Sequence, residues 1–430
     1  MTVTIICDVL GKENNGTTIA AMNLIRSLQA KGHTVRVVCS DRDKEMLPGY
    51  YILPTYSFGP LNSYVAKNGV ALTKPDIMTI RKALHGADVV HMMIPFAASS
   101  AAVKIAREYG IPITAGFHCQ AENFTNHIFM MNNRLANKIT YKIFYDNLYR
   151  YCTCVHYPTR FICDVFEKQV GPTNHYIISN GVSKDFVRRD VPKPAELKNK
   201  FVILFTGRYS REKSHTVLID GVAKSKYKDL IQLIFAGAGP QKENIIEHAK
   251  KQNIHMPIMK FYSREELLKV INYADLYVHP AEIEIEAISC LEAISCGKVP
   301  VISNSIRSAT RYFALTENNR FHCNDSNDLA AKIDYWIEHP HEKELCSQQY
   351  LGYAQQFDFD RCMDRMEQML QDAIRLGPKK MSSDKRFSLP LQKLRHPYRP
   401  KQFRAPSQPD TETAAQPQES SEKQPANCSK

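Results

Sequence analysis

Short runs of β-branched and aliphatic residues alternate with longer amphipathic runs along two successive parts of this 430-residue sequence. The strands predicted in the first part are Val3–Cys7, Thr34–Cys39, Val89–His91, Ile113–Phe117, Thr153–Tyr157 and Tyr176–Ile178. Those of the second part are Phe201–Thr206, Leu230–Ala236, Ile258–Phe261, Leu276–His279 and Val299–Ile302. Repeated strand–helix–strand units favour parallel sheets with helices on both faces, so the sequence predicts an α/β protein.

The two series predict two Rossmann-like domains that face each other across a cleft. We expect the first domain at residues 1–190 and the second at residues 191–358. A final helical run stops at Gly377-Pro378, and we expect residues 359–377 to pack back on the first domain. Ligands of such sheets bind beyond the carboxyl ends of the strands, which makes the cleft the expected site.

The composition changes in residues 378–430, where Pro, Gln, Ser and Lys dominate and the apolar residues show no helical or strand periodicity. This composition predicts a disordered basic tail. Nine of the residues from Lys379 to Arg404 are basic and one is acidic, so the tail carries most of the net charge of +12. Its cations, including Lys393 and Arg395, either belong to a solvated linker or contact anionic lipid. In the second case each cation near the membrane surface contributes about 1 kcal/mol to binding.

The overall composition excludes several classes of protein. Hydrophobic residues make up 43% of the chain and charged residues 23%, which is normal for a globular protein. The twelve cysteines are scattered and form no paired CxxC motifs, so reduced thiols are expected rather than a zinc site. The amino terminus has no charged lead-in, and the most apolar stretch, Val89–Val103, is interrupted by His91 and Pro95. Neither a signal peptide nor a membrane span is predicted.

The most informative segment runs from Ala281 to Val301, between two predicted strands. Glu284 lies in the loop before a predicted helix, and Glu292 lies two turns further in. Carboxylates so placed could accept hydrogen bonds from the hydroxyl groups of a sugar and a ribose. The free N–H groups at the start of the helix would face a phosphate.

This segment resembles the retaining glycosyltransferases of the GT-B fold, in particular family 4, which includes diacylglycerol glycosyltransferases and related glycolipid synthases. Their hallmark is Glu, seven residues, Glu, then Ala-x-x-x-Gly-x-Pro-Val. Glu284 and Glu292 have that spacing, Ala293 and Gly297 match the continuation, and Pro300-Val301 follow with one additional residue after Gly297. The sequence departs from the family at Ile285-Glu286-Ala287, where glycines are usual. Glu282 and Glu286 compete with Glu284 for the first carboxylate, and the spacing favours Glu284.

Further segments resemble the family in the order that it requires, over about residues 1–376. The resemblance implies that Arg208 and Lys213, in Gly207-Arg208…Glu212-Lys213-Ser214, clamp the donor diphosphate through charge-assisted bonds. It also implies a glycine loop at Gly16, a Gly-x-Gly-Pro turn at Gly239 under the nucleotide, and a sugar contact at His118. Together with Ile288 at the helix start and Glu292, these are the expected site residues, Glu284 and His118 being catalytic.

The cofactor prediction is negative. Asp41-Arg42-Asp43 is formally an Asp-x-Asp motif, but it follows the second strand and lies far in sequence from the diphosphate clamp. We interpret it as a solvated loop and expect no metal and no cofactor. The nucleotide-sugar, with UDP-hexose favoured by the family, is then a substrate.

The acceptor prediction rests on a basic segment of the first domain. Asn132 to Tyr151 is predicted to be one helix, with Leu135, Ile139, Ile143, Phe144 and Leu148 on one side and Arg134, Lys138 and Lys142 among its cations. Such a helix is typical of an interfacial membrane anchor, although an ordinary helix packed on its sheet has the same pattern. With the family resemblance, it favours a membrane lipid such as diacylglycerol or ceramide as acceptor. The expected location is cytoplasmic, peripherally associated with an anionic membrane surface at the inner face of the cell membrane.

Other functions stay open at this point. The acceptor could instead be a polysaccharide or a lipid-linked oligosaccharide. The missing glycines after Glu284 would also suit a non-catalytic GT-B partner subunit. Nucleic acid is not an expected partner, because no RNP, KH or zinc-finger pattern accompanies the basic charge.

Overall fold

The computed structural model describes residues 1–7, 10, 16–57, 59, 72–126, 130 and 132–380. The first group of strands is β1 (Thr2–Ile6), β2 (Thr34–Cys39), β3 (Tyr50–Ile52), β4 (Val89–Met92), β5 (Ile113–Gly116), β6 (Cys154–Tyr157) and β7 (His175–Ile177). The second group is β8 (Phe201–Thr206), β9 (Ile231–Ala236), β10 (Ile258–Lys260), β11 (Leu276–His279), β12 (Pro300–Ser303) and β13 (Arg320–Phe321).

The strands form two parallel sheets. The first has the order β3-β2-β1-β4-β5-β6-β7 and the second has the order β10-β9-β8-β11-β12-β13. Each neighbouring pair is parallel. The predicted α/β architecture, two Rossmann-like sheets in tandem, is confirmed.

Helices connect the strands in both halves. In the first half they are α1 (Gly16–Ala30), α2 (Ile77–Leu84), α3 (Ala97–Glu108), α4 (Ala121–Asn126), α5 (Arg134–Asn147) and α6 (Arg160–Val170). In the second half they are α7 (His215–Lys224), α8 (Lys242–Lys251), α9 (Arg264–Tyr273), α10 (Ile288–Ser295), α11 (Ser326–Glu338), α12 (Pro340–Ala354) and α13 (Phe359–Leu376).

Local sequence explains these elements. Every residue of β9 is buried, as expected for a central strand that is covered by helices on both faces. Helix α9 begins with a capping box in which Ser263 and Glu266 satisfy each other's backbone N–H groups. Helix α5 begins where the Asn133 side chain accepts hydrogen bonds from the N–H groups of Leu135 and Ala136.

The strand order fixes where a ligand can bind. Each sheet reverses its winding next to its first strand, between β1 and β4 in one half and between β8 and β11 in the other. The crevice of a doubly wound sheet lies at the carboxyl ends of those strands. The loops that follow β8 and β11 therefore lie side by side.

Helix α13 returns from the second half to the first. Its buried face includes Met366, Met369 and Leu370, which share a core cluster with Val3 of β1 and Leu24 of α1. On the exposed side of α13, the carboxylates of Asp364 and Glu367 accept hydrogen bonds from Lys31 Nζ, at 2.5 Å and 2.7 Å. The first sheet is thus covered in part by the last described helix. The boundary near residue 190 stays a prediction.

Three local expectations differ from the structure. The short edge strands β3 and β13 lack a long β-branched run, and the sequence did not predict them. The predicted single helix at residues 132–151 is instead α5 followed by a short 3-10 turn, Tyr149–Tyr151. The two parts separate at Leu148, whose φ of −137° is not helical. Asp41-Arg42-Asp43, expected as a loop, leads into a 3-10 turn at Arg42–Lys44.

Within the described ranges, no helix combines the length and the apolar character that a membrane span needs. The expected tail lies, from residue 381 onward, outside the described residues.

The packing of α13 predicts a large effect of truncating one of its buried side chains. Leu370 is fully buried, so Leu370→Ala should lower the free energy of unfolding by about 2–5 kcal/mol, because it leaves a cavity between α13 and the first sheet. Denaturant unfolding followed by circular dichroism measures this change. The exposed Arg361→Ala, on the same helix, should change it by less than about 0.5 kcal/mol.

Candidate active site

Two glycines, Gly237 and Gly239, let the loops of the second sheet approach one another. A Cβ atom at Gly237 would lie 2.0 Å from the carbonyl oxygen of Gly207. One at Gly239 would lie 2.5 Å from the carbonyl oxygen of Tyr209. The turn after β9 therefore packs directly beneath the turn after β8, which carries Arg208.

Glu284 lies between two basic side chains. One of its carboxylate oxygens accepts hydrogen bonds from Lys213 Nζ and, at 3.0 Å, from His279 Nε2. Burial raises the pKa of Glu284, but the charge of Lys213 and the bond from His279 outweigh it and lower this pKa to about 2. The carboxylate is therefore ionised, and it faces the cation that was predicted to bind a diphosphate.

Arg208 lies beside a second carboxylate, that of Glu212. Its Nη2 approaches Glu212 Oε1 at 3.4 Å, and the Ser210 hydroxyl donates to the same oxygen at 2.5 Å. Burial raises the pKa of Glu212, yet the Ser210 hydrogen bond and the charges of Arg208 and Lys213 lower it overall. Two cations thus flank one buried carboxylate, and both keep partly exposed side chains, 30% for Arg208 and 19% for Lys213.

The start of helix α10 faces the same place. Its N-cap, Ala287, has a left-handed backbone with φ of 61° and offers no side-chain acceptor. The first N–H groups of the helix, beginning with Ile288, therefore keep their capacity to bind an anion. The Ser289 hydroxyl donates to Thr206 O at 3.1 Å and ties the helix start to the end of β8.

Glu292 lies further along α10 and is half-buried. Burial raises its pKa to about 8, although the charge of Arg264 acts in the opposite direction. Within the described part of the chain, no side chain hydrogen-bonds this carboxyl group. Its role as a ribose ligand stays a prediction.

In the first half, His118 follows β5 and is half-buried. Gly116 makes room for it, because a Cβ atom there would lie 2.3 Å from His118 Nε2. The ring packs against His156 at 5.5 Å between centroids, and both line a small cavity with His91. Burial and the neighbouring histidines lower the pKa of His118 well below its usual value, so the ring is neutral.

Gly16 is the first residue of α1, and nothing lies within 4 Å of a Cβ atom placed there. Asn14 and Asn15, which precede Gly16 in the predicted glycine loop, lie outside the described residues. The α1 start is nevertheless close to β5, because the Thr17 hydroxyl donates to His118 O at 3.5 Å.

Glu286 faces the junction between the two halves rather than the cations. Its carboxylate accepts from the Asn180 side-chain amide and, at 3.2 Å, from the Asn180 backbone N–H. One residue earlier, Ile285 O accepts from the Thr159 hydroxyl at 2.8 Å. Of the three acidic candidates, Glu284 is therefore the one that faces the predicted diphosphate clamp.

The side chains of α5 separate into two faces. Leu135, Ile139 and Ile143 are 67%, 51% and 50% exposed, whereas Phe144 and Leu148 are buried. The expectation that all five share one side was wrong, because each residue turns the helix by about 100° and carries Phe144 away from Ile143. Arg134, Lys138 and Lys142 are exposed beside the outer three. Lys393 and Arg395 lie outside the described residues.

The potential metal ligands in the described part already have protein partners. Cys163, Glu167 and His175 lie within 4.8 Å of one another. Glu167 Oε1 accepts from His175 Nδ1 at 2.9 Å and from the Thr173 hydroxyl at 2.7 Å. Asp41 accepts from the Leu10 N–H at 2.5 Å. Neither group lies in the loops after β8 and β11, and the expectation of a metal-free reaction stays a prediction.

Comparison with known families agrees with this architecture. Residues 14–186 match the family described as Glycosyltransferase Family 4, and residues 187–350 match the family described as Glycosyl transferases group 1. The two matches adjoin and divide the chain as the two sheets do. The protein belongs to the GT-B glycosyltransferases of group 1 and family 4, and the predicted enzyme class is confirmed.

Individual relatives show how far the likeness extends. The alpha-monoglucosyldiacylglycerol synthase of Acholeplasma laidlawii is 24% identical over 311 residues, which are 67% of this chain and 76% of that protein. The crystal structure of HepE from Anabaena with UDP and glucose covers 86% of this chain and 99% of its own, with TM-score 0.67 and 15% identity. The catalytic domain of cholesterol-alpha-glucosyltransferase from Helicobacter pylori is 47% identical and covers 36% of this chain and 96% of its own, with TM-score 0.35.

Two residues that bond the acidic segment 282–286 were not predicted from the sequence. His279 ends β11 and bonds Glu284, and a histidine at the end of a buried strand could have signalled it. Asn180 was not predicted as a site residue, because its bond to Glu286 joins residues that are 106 positions apart.

The buried carboxyl of Glu286 predicts a pH dependence of stability. Burial raises its pKa to about 7, despite hydrogen bonds from Ser179 and Asn180. In the unfolded chain the carboxyl ionises near pH 4.5, whereas in the folded protein it ionises near pH 7. The free energy of unfolding therefore falls as pH rises from about 4.5 to 7 and changes no further above pH 7. Glu286→Gln, which keeps an acceptor for Asn180, should raise the unfolding temperature at pH 8 and leave it nearly unchanged at pH 5.

Differential scanning fluorimetry at the two pH values measures this difference. The matched control is Glu265→Gln on α9, whose side chain is 82% exposed and which should show no such contrast. Equal shifts of Glu286→Gln at pH 5 and pH 8 would contradict the assignment.

Proposed function

We propose that this protein is a retaining glycosyltransferase that transfers a hexose from UDP-hexose to a hydroxyl group of a membrane lipid, such as diacylglycerol or ceramide. The observation that carries the acceptor is the exposed apolar stripe of α5, Leu135, Ile139 and Ile143. The donor is supported by the cluster of Lys213, Glu284 and Arg208 at the start of α10. The diacylglycerol relative and the UDP-bound HepE structure support the same chemistry.

The donor-side chemistry follows from charge. A departing nucleoside diphosphate develops negative charge, and Arg208, Lys213 and the N–H groups at the start of α10 are fixed where they can stabilise it. Lys213 is paired with Glu284, so a bound diphosphate would share this cation. The Glu284 carboxylate would then be available to a sugar hydroxyl, while Glu292 bonds the ribose.

The acceptor side needs a group that holds the sugar without carrying charge. His118 is neutral and lies at the end of β5, where it would contact the transferred hexose. Catalysis in this proposal comes from positioning two substrates and stabilising the leaving group, with no protein metal.

The helix α5 connects this site to a membrane surface. Its buried face packs next to the end of β5, with Tyr141 stacked on Phe117 at 6.4 Å between ring centroids, and Phe117 precedes His118. Its outer face presents three aliphatic side chains at a spacing of four residues, flanked by Arg134, Lys138 and Lys142. An apolar stripe with cationic flanks fits an anionic bilayer surface. In this proposal the protein is peripheral, at the inner face of the cell membrane, and the basic tail adds to its attraction.

The donor clamp is tested by removing each cation. Arg208→Ala and Lys213→Ala should each lower hexose transfer by about 10²-fold or more, because each removes a group that stabilises the leaving diphosphate. Transfer of radiolabelled hexose from UDP-hexose measures the rate. Lys250→Ala, an exposed lysine at the end of α8, is the control and should keep wild-type activity. Near-wild-type turnover of either clamp variant would remove the assignment.

The membrane surface is tested by making the stripe polar. A triple variant, Leu135→Ser, Ile139→Ser and Ile143→Ser, should lose at least about tenfold in binding to anionic vesicles, since it removes the buried apolar contact. Co-sedimentation with phosphatidylglycerol vesicles measures the bound fraction. The control replaces two exposed apolar residues of the second half, Met256 and Phe261, by Ser. If both variants bind equally well, the stripe is not the contact.

The acceptor class is decided by a panel of substrates. The purified protein is incubated with labelled UDP-glucose and, separately, diacylglycerol, ceramide, cholesterol or a soluble oligosaccharide. Labelled product from a lipid supports the proposal and names the lipid. Product from the oligosaccharide alone would favour the alternative acceptor class.

A further inference from the structure

The Arg307 side chain bonds one residue from each half of the molecule, across the cleft between them. Its Nη1 donates to Asn132 Oδ1 of the first half at 2.6 Å. Its Nη2 forms an ion pair with Glu282 of the second half. One planar guanidinium thus bonds both sides of the cleft, which a lysine, with a single charged nitrogen, would do poorly.

The partners of Arg307 are neighbours of the proposed site residues. Asn132 immediately precedes Asn133, which caps the membrane-facing helix α5. Glu282 lies two residues before Glu284, and its N–H donates to Glu212 O at 2.8 Å. On the main chain, Arg307 O accepts from the Gln120 side chain at 3.3 Å, and Gln120 lies two residues after His118.

The loop that carries Arg307 is bonded directly to Glu284. The Ala309 N–H donates to Glu284 O at 2.8 Å. The Ser305 hydroxyl donates to Glu282 O at 2.6 Å, and the Arg307 N–H donates to that hydroxyl at 3.2 Å. A displacement of Arg307 would therefore move the backbone on which Glu284 is mounted.

The ion pair between Arg307 and Glu282 is partly shielded from water, whereas the bond from Arg307 to Asn132 is exposed. The Arg307 side chain is 27% exposed and the Glu282 side chain is 17% exposed. The second carboxylate oxygen of Glu282 accepts from Asn324 Nδ2 at 2.8 Å, so the anion is fixed before it meets the guanidinium. An ion pair held in this way is less screened and better oriented than one on an open surface.

We propose that Arg307 is a positioning residue that holds the cleft closed and sets Gln120 and Asn132 of the acceptor side in register with the donor-side segment, residues 282–284. It touches neither substrate in this proposal. Its contribution is to the distance between the hexose and the acceptor hydroxyl, where a displacement of about 1 Å can cost 10²-fold in rate. The kinetic part of this inference rests on the proposed function.

The kinetic test separates positioning from binding. Arg307→Gln and Asn132→Ala should each lower kcat for transfer by at least about tenfold, while the Kd for UDP, measured by calorimetry, changes less than about threefold. The double variant should be no slower than Arg307→Gln alone, because both changes break the same tie. Arg320→Gln is the control, since Arg320 is paired with Glu317 inside its own half. Additive losses, or a wild-type kcat in Arg307→Gln, would overturn the inference.

A measurement without substrate keeps this inference distinct from the proposed function. Small-angle X-ray scattering should give a larger radius of gyration for Arg307→Gln and for Asn132→Ala than for the wild type and Arg320→Gln. An unchanged radius of gyration in both variants would contradict the proposed role of Arg307, even if the enzyme transfers hexose to lipid. A larger radius in a protein that binds no UDP would leave the tie standing and refute the donor assignment.

Discussion

The ionised carboxylate of Glu284 is the constraint around which the second half of the molecule is arranged. A buried charge is costly unless it is paired and hydrogen-bonded, and here Lys213 supplies the charge while His279 supplies a further bond. These three residues come from the ends of two adjacent strands. The parallel order of β8 and β11, and the glycines that let the neighbouring turns pack closely, are what bring them together.

The three glutamates of the acidic segment 282–286 contact three different partners. Glu282 pairs with Arg307, Glu284 faces the cations, and Glu286 bonds Asn180 at the junction of the two halves. In an extended segment, alternate residues point to the same side only while the strand stays regular. This segment bends, ending in the left-handed Ala287, so its three carboxylates reach three different environments. Their pKa values differ accordingly, about 2 for Glu284 and about 7 for Glu286.

Periodic and buried segments were the predictable part. The strands Thr34–Cys39 and Leu276–His279 were predicted to the residue, because a run of β-branched and aliphatic residues is a local signal. The spacing of Glu284 and Glu292, together with the order of the other motifs along the chain, identified the family. The orientation of α5 was harder, since its sequence holds apolar residues on two faces and only packing shows that Leu135 is outside. Arg307 gave no local signal, because its partner Asn132 is 175 residues away in sequence.

The return of α13 makes the second half an insertion rather than a carboxyl-terminal appendage. The two crossings of the chain lie side by side, because Val182, in the segment that leaves the first sheet, forms an isolated bridge with Asp358, just before the returning helix. A fragment that stops after the first sheet would expose the faces of β1 and α1 that Met366 and Met369 cover. The second half is therefore a unit whose two junctions with the first half lie side by side, and helix α13 belongs with the first half on which it packs.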